Sequence, residues 1–488
     1  MLFFIILFTA IAPVVVLFAK GYRFNLEKGI FVYSGSITIK SWPRDVNIYL
    51  NGKRQSNKNY NIINDAYTIN GVKPGKYTLS CRKEGYTNWE KEIWVHSGIS
   101  TEFWNVLLFP EEDTRETLSY NTAGIEGFFL SPRDQKEIIY FTKDREGESR
   151  NVKLLNTEDN ETSTLYSTDK LNFLIDEKEN IEWNSDNKKI LFPFEDQNGE
   201  KIYILGEMED DEISESFNLN QIFKKSKGAE SIRKVRWMFN KKDEMVILTK
   251  DKKLYHFDYK EPEEKTLISD NVSGFDFAGD ELYYSQLPNN IIWKSNQSSL
   301  DKKKQITNSN FPTQSKEDFV ELTAYDENRI FVKTKNNEGF LFNKNPNKNQ
   351  TEKFKLSENI KNVQFSDDGK KILCWNNHEI WYYMLRDWDI QPKRKSGEKI
   401  TITRFSNSIK NIQWMENYEN IIFTVGDTIK SIEADPRNQL NLKDMITTSQ
   451  SFPEKSVIYD KGNQTLYYIK NNKLNSTVLI NKLGFLGF

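Results

Sequence analysis

Two kinds of hydrophobic pattern divide this chain. The first nineteen positions, MLFFIILFTAIAPVVVLFA, carry no charge, and Lys20 ends the run. As an α-helix at 1.5 Å per residue it measures about 28 Å, against a bilayer hydrocarbon core of roughly 30 Å. The run therefore predicts a transmembrane anchor over residues 1–19, kinked but not forbidden by Pro13. A cleaved signal peptide is the alternative. Against it, the run outlasts a usual apolar signal core, and the small-residue pair Ala10 and Ala12 is followed at once by Pro13. A buried core helix is the third reading, but no later segment is suited to enclose it. Lys20, Arg23 and Lys28 follow the run, which by itself favours a cytoplasmic flank on that side. No basic segment precedes it, so the natural start is expected a few residues upstream.

From Ile30 the period changes to two. Ile37 and Ile39 alternate with Ser36, Thr38 and Lys40, and Val46, Ile48 and Leu50 alternate with Asn47 and Tyr49. This spacing marks half-buried strands. Asn51-Gly52 tolerates the positive φ angles of a tight hairpin, and Lys73-Pro74-Gly75 forms a second turn. Tyr77, Leu79 and Cys81 share one face. Gly85-Tyr86, then Ile93 and Val95, continue the alternation, and Phe103 to Phe109 ends it before Pro110. Five or six strands in residues 30–110 predict a small antiparallel sandwich.

Residues 111–122 are polar and acidic, a linker. Over 123–488 one unit recurs: an alternating aromatic strand, a polar turn, then a β-branched strand. Its clearest copy runs from Val363 to Trp375, and others begin at Phe128, Ile181, Val235, Phe275, Leu322, Ile412 and Val457. The steps between starts are about 53, 54, 40, 47, 41, 49 and 45 residues. Periods of 40–50 with several strands each signal β-propeller blades. The span holds eight, or seven if one terminal copy is split to latch the ring. A solenoid of stacked sheets is the other arrangement. The fold class expected is thus all-β: an N-terminal transmembrane helix, a small β-sandwich, and a seven- or eight-bladed β-propeller.

Composition fits this picture. Hydrophobic residues make up only 37% of the chain, but aromatics reach 13%, so Phe, Tyr and Trp replace aliphatics as core material. A net charge of -2, with both signs interspersed, removes the electrostatic case for nucleic acid. Cys81 and Cys374 lie too far apart for a disulfide framework or a cysteine zinc site.

Gly35 to Pro43, the following Val46-Asn-Ile-Tyr-Leu-Asn-Gly-Lys53, Val72-Lys-Pro-Gly-Lys-Tyr77 and Gly85-Tyr86 resemble a PEGA domain over residues 30–110. The naming tetrapeptide reads Pro43-Arg44-Asp45-Val46 here, and an Asn- and Lys-rich segment, 53–66, replaces the usual Gly-x-Thr-Pro. The resemblance implies a non-catalytic binding or spacer module of bacterial or archaeal envelope proteins. With Gly21-Tyr-Arg-Phe24 after the apolar run, it places the ectodomain outside the cell membrane. Phe365-Ser-Asp-Asp-Gly-Lys370 resembles the strand-turn-strand signature of TolB-like propellers.

Catalytic chemistry is poorly represented. His96, His256 and His378 sit in unrelated segments without metal-ligand spacing. No Gly-x-Ser-x-Gly elbow and no phosphate-binding glycine loop occurs. Asp276, Asp326, Asp367 and Asp368 lie in or beside repeated strands and would be the acids of a channel glycosidase, but turns favour Asp for backbone reasons alone. Trp42, Trp89, Trp94 and Trp104 would form either a sugar platform or core. The acidic run Glu207–Glu212 lacks calcium-loop spacing and reads as a solvated loop. No catalytic, cofactor-binding or metal-ligating residue is assigned, and no cofactor is expected. The expected function is a non-enzymatic, membrane-anchored envelope protein whose propeller binds a protein or surface glycan. A propeller glycoside hydrolase acting on surface polysaccharide, or an envelope sensor or assembly factor, is the alternative.

Overall fold

The computed structural model describes residues 2–480 apart from 26–28, 57, 113–114, 144–148, 176–180, 229, 309–310, 313–317 and 346–349. Lys28 and residues 481–488 lie outside the described residues. Helix α1 occupies Leu2–Ala19, with Pro13 inside it. Its 18 residues reach about 27 Å, a few Å less than the hydrocarbon core. Among the described residues no helix is long and apolar enough to cross a membrane. This finding overturns the transmembrane helix expected at 1–19. A short hairpin, Tyr22–Asn25 with Ile30–Tyr33, follows α1, and Arg23 in it donates to the Phe18 carbonyl (3.1 Å) and covers the Phe18 ring.

The sandwich has two four-stranded sheets. One is ordered Ser100–Leu107, Gly35–Trp42, Ala66–Val72, Lys58–Asn61; the other Lys53–Arg54, Asn47–Leu50, Gly75–Arg82, Trp89–Val95. The expectation of a purely antiparallel sandwich is corrected at one pair. After Val95 the chain crosses between sheets, so Ser100–Leu107 enters parallel to Gly35–Trp42. Ile37, Ile39, Ile48, Leu79, Ile93 and Phe103 meet in one core between the sheets. Asn51 and Gly52 have φ of 48° and 75°, the left-handed pair the hairpin requires. The Asn- and Lys-rich segment supplies an edge strand to each sheet, Lys53–Arg54 to one and Lys58–Asn61 to the other.

Eight further sheets follow, each a meander of strands a to d. Blades 1 to 4 begin with strand a at Ile125–Leu130, Glu182–Trp183, Ile232–Trp237 and Val272–Ala278. Blades 5 to 8 begin at Glu321–Asp326, Asn362–Phe365, Ile409–Trp414 and Val457–Asp460. All eight repeat copies read from the sequence fall on these a strands or immediately before them. In blade 2 an extra short strand, Asn172–Phe173, also pairs with strand b.

Eight blades and a split copy occur together. Blade 8 draws strands a to c from the C-terminal end, and its d strand is Thr117–Ser119, from the segment read as a linker. The ring is held by apolar clusters that straddle neighbouring blades. Ile139, Phe141, Ile190 and Phe192 join blades 1 and 2, Leu373, Tyr382, Trp414 and Phe423 join 6 and 7, and Phe128, Tyr140, Tyr467 and Leu474 close 8 onto 1. A lone four-stranded blade has two apolar faces and can bury neither, so closure is what hides them.

Candidate binding surfaces at the two ends of the propeller

In an a-b-c-d meander the a–b and c–d turns fall at one end of every blade, and the b–c turns and d–a connections at the other. The two ends of this propeller are occupied differently.

The a–b/c–d end carries the sandwich. The c–d segment of blade 7 meets strand Trp89–Val95: Trp89 Nε1 donates to Glu433 (3.0 Å), and Lys91 Nζ lies 2.6 Å from the same carboxylate and 2.9 Å from the Asp435 carbonyl. The Lys91 side chain is 0% exposed. Arg437 stacks on Phe103 and donates to the Glu102 carbonyl (2.9 Å). From the c–d segment of blade 6, Gln391 brackets the strand at Ser100 and Glu102 (2.8 and 3.1 Å). Beneath lies a buried charge cluster. Arg394 holds both oxygens of Glu419 (2.8 and 2.9 Å), and Lys371 binds the same carboxylate. Burial pushes the Glu419 carboxyl up, but Lys371 and Arg394 outweigh it and hold it below the usual range. Asp435 is likewise held low, with Arg437 overcoming burial. A cavity of about 20 Å³ remains between Trp89, Gln391, Glu419 and Arg437, room for about one water.

Nearer the axis at this end, the a–b turns grip one another. Tyr325 Oη donates to the Asp367 carbonyl (2.6 Å), and Arg329 Nη1 to that of Gly369 (2.6 Å). Lys461 of blade 8 reaches Asp367 of blade 6 (3.2 Å). Gly369 has φ 62°, and a Cβ there would run into the Arg329 guanidinium and the Tyr325 ring, so the turn needs glycine.

The opposite end opens into a cleft of about 500 Å³. Phe173, Leu174 and Ile175 come from the d–a connection into blade 2; Asn337 from the b–c turn of blade 5; Asn359 to Lys361 from the connection into blade 6; Asn377 from the b–c turn of blade 6; and Glu454 from the connection into blade 8. Loops from well-separated blades therefore converge here. The apolar wall is fixed: Phe173 packs on Phe141 and Phe194 at 4.3 and 5.2 Å between ring centroids. Ile175 lies so close to blade 1 that a Cβ on Gly127 would meet it at 2.9 Å. The Ile360 amide donates to the Asn337 carbonyl (2.7 Å), and buried Lys333 to that of Lys361 (2.7 Å). Lys361 pairs with Glu454. Three exposed amide side chains, an ion pair and an apolar wall suit reversible binding of a chain with mixed polarity. The described lining contains no histidine, cysteine or hydroxyl, and its one carboxylate is held by lysine.

The residues singled out in the sequence are scattered. His256 bonds Glu244 (2.8 Å) on strands of blade 3, His96 is exposed beyond the sandwich, and His378 sits in a blade 6 turn. Among the described residues no group of metal ligands forms. Asp276 and Glu182 both bind Arg236, tying the a strands of blades 2 to 4; burial pushes the Glu182 carboxyl up against the pull of Arg236. Asp368 accepts from Ser366 and the Lys370 amide within its own turn, and Asp326 pairs with Arg329. Trp89 is core and interface at once, Trp42 packs on blades 7 and 8, Trp104 bonds Glu102, and Trp94 is exposed, so the four form no common shelf. Glu207–Glu212 is the c–d hairpin of blade 2 rather than a loop, and Glu207 pairs with Lys260. Cys81 and Cys374 are buried and free; burial pushes the Cys81 thiol up to about 12.

The family model for the PEGA domain matches residues 34–107. The sandwich is a PEGA domain by that match. No curated protein matches the chain. Among solved structures it is similar to the β-propeller domain of Myceliophteria thermophila Cps50 (Swd1), at 9% identity and TM-score 0.42, covering 75% of this chain and 98% of that one. Saccharomyces cerevisiae Sqt1 is similar at 8% identity and TM-score 0.45, over 75% and 98%. A eukaryotic initiation factor is similar at 11% and 0.42, over 72% and 82%.

Proposed function

We propose that the chain is a non-enzymatic binding protein of the cell envelope, which presents the b–c/d–a end of its propeller to a protein or surface polymer. The observation that carries this reading is the open cleft at that end, built from loops of blades 2, 5, 6 and 8, while the PEGA domain fills part of the other end. Rigid blades hold such loops in a fixed arrangement, which suits recognition. The envelope setting rests on the PEGA similarity, and a TolB-like type for the ring on the turn at Phe365–Lys370.

Binding rather than hydrolysis is supported by the state of the carboxylates. A glycosidase needs an acid and a base or nucleophile facing one bond, whereas Glu182 and Asp276 are both spent on Arg236. The test is affinity capture from envelope extracts with the full chain and with a cleft variant, Leu174→Asp/Lys361→Glu. The reading expects partners held by the native chain to be lost by the variant. Identical capture by both would overturn it.

A further inference from the structure

A second recess, of about 470 Å³, lies at the clasp between blades 7 and 8. Its lining differs in kind from the cleft. Arg115, Lys470 and Lys473 contribute three cations against one carboxylate, Glu112, and Thr117, Ser119, Asn471 and Asn475 add hydroxyl and amide groups. Ile446 and Tyr468 supply an apolar floor, both buried.

Local structure fixes these groups. Asn471 and Asn472 have φ of 54° and 56°, the tight turn that sets Lys470 and Lys473 at the paired ends of strands b and c of blade 8. Thr117 and Ser119 stand on the clasp strand, opposite Thr477 and Asn475. Arg115 is anchored just before that strand: Nε donates to the Pro110 carbonyl (2.7 Å) and Nη1 to that of Met445. Its Nη2 makes no hydrogen bond among the described residues. Lys470 and Lys473 likewise have no ion-pair partner among the described residues, unlike Lys91, Lys260 and Lys371. Burial pulls the Arg115 guanidinium down, opposed by Glu112; guanidinium groups stay charged in proteins, so Nη2 is a cationic donor.

We infer that this recess binds a phosphate group, carried on a small polar body such as a sugar. Three cations lining one recess with hydroxyl and amide donors suit an oxyanion that accepts several charge-assisted hydrogen bonds. The volume exceeds what a bare ion fills and lies in the range of small-ligand sites, and Tyr468 with Ile446 gives the body of an ester something to rest on. The site is separate from the cleft at the b–c/d–a end and stands or falls independently of it.

The experiment is calorimetric titration of the full chain at low salt with glucose 1-phosphate, inorganic phosphate and glucose, repeated on Lys470→Gln/Lys473→Gln. Lys473 is exposed and Lys470 half-buried, with no ion pair to lose among the described residues, so the variant is expected to keep the native unfolding profile, checked in parallel. The inference expects glucose 1-phosphate to bind, glucose not to bind, and the double variant to bind at least tenfold more weakly. Tighter binding of the ester than of inorganic phosphate assigns the ester as ligand; equal binding assigns free phosphate to the same site. Absence of binding by both phosphate probes, or binding unchanged in the double variant, would overturn it.

Discussion

The two ends of the propeller share one topology and differ in what covers them. At the a–b/c–d end the chain supplies its own partner, and charges such as Lys91, Glu433, Arg394 and Glu419 are buried and matched with one another. At the b–c/d–a end the loops stay open, and the polar side chains of Asn359 and Asn377 face solvent. Buried charges tolerate the loss of a partner badly, while exposed ones contribute little to stability. One end is therefore held together by its own buried charges while the other is left open, as the proposed binding role requires, and substitutions should separate the two.

The largest effect on stability is expected at Glu419. Glu419→Gln leaves Arg394 and Lys371 sharing a neutral amide in a buried site, and should cost about 3–5 kcal/mol, read by denaturant unfolding. The pH dependence follows the same cluster. Glu419 and Asp435 are held below their unfolded values. The unfolded state thus takes up protons first as pH falls. Their stabilisation is complete above the usual carboxylate range and is lost as pH drops through the lowered folded-state values. Glu419→Gln should flatten that acid limb, and an unchanged limb would assign it to other groups.

Next in size is Lys91→Met, which leaves Glu433 facing the PEGA domain without its cation. A loss of about 3 kcal/mol is expected, together with faster proteolysis between the PEGA domain and blade 1. If the sandwich and propeller unfold together in the native chain but separately in this variant, the contact couples them. Leu174→Asp at the open end should leave unfolding within about 0.5 kcal/mol of native, since it is a partly exposed surface change, yet weaken partner binding tenfold or more. Smaller than that loss of binding is the effect of Gly52→Ala. Nothing lies within 4 Å of a Cβ there, so only the left-handed backbone opposes it. The cost should be about 1 kcal/mol by the same unfolding measurement.

Much of the fold could be read from local pattern. Period two located the sandwich strands, Asn51-Gly52 its hairpin, and the aromatic–turn–β-branched repeat marked all eight inner strands, because a blade's centre is buried on both faces and its turns are polar. The clasp strand Thr117–Ser119 escaped notice because it is exposed and three residues long. The apolar run at the N-terminus is helical as expected, but among the described residues no helix is long and apolar enough to cross a membrane. One signal at the interface was available and missed. Lys91 stands in register with Trp89, Ile93 and Val95 on the buried face of its strand, and a lysine there requires a carboxylate partner from elsewhere. The cleft at the b–c/d–a end left no such trace. Phe173, Asn337, Asn377 and Glu454 lie in connections up to 281 positions apart, each with ordinary turn composition, and only ring closure brings them together.

The central claim, a fixed PEGA-bearing end and an open binding end, is tested most directly by paired capture experiments on the full chain. Leu174→Asp/Lys361→Glu alters the open end, and Trp94→Ala with Ile63→Asp alters exposed positions of the PEGA domain. The account predicts that envelope partners are lost with the first variant and retained with the second. Retention by the first and loss by the second would contradict it, and would move the binding surface to the PEGA domain.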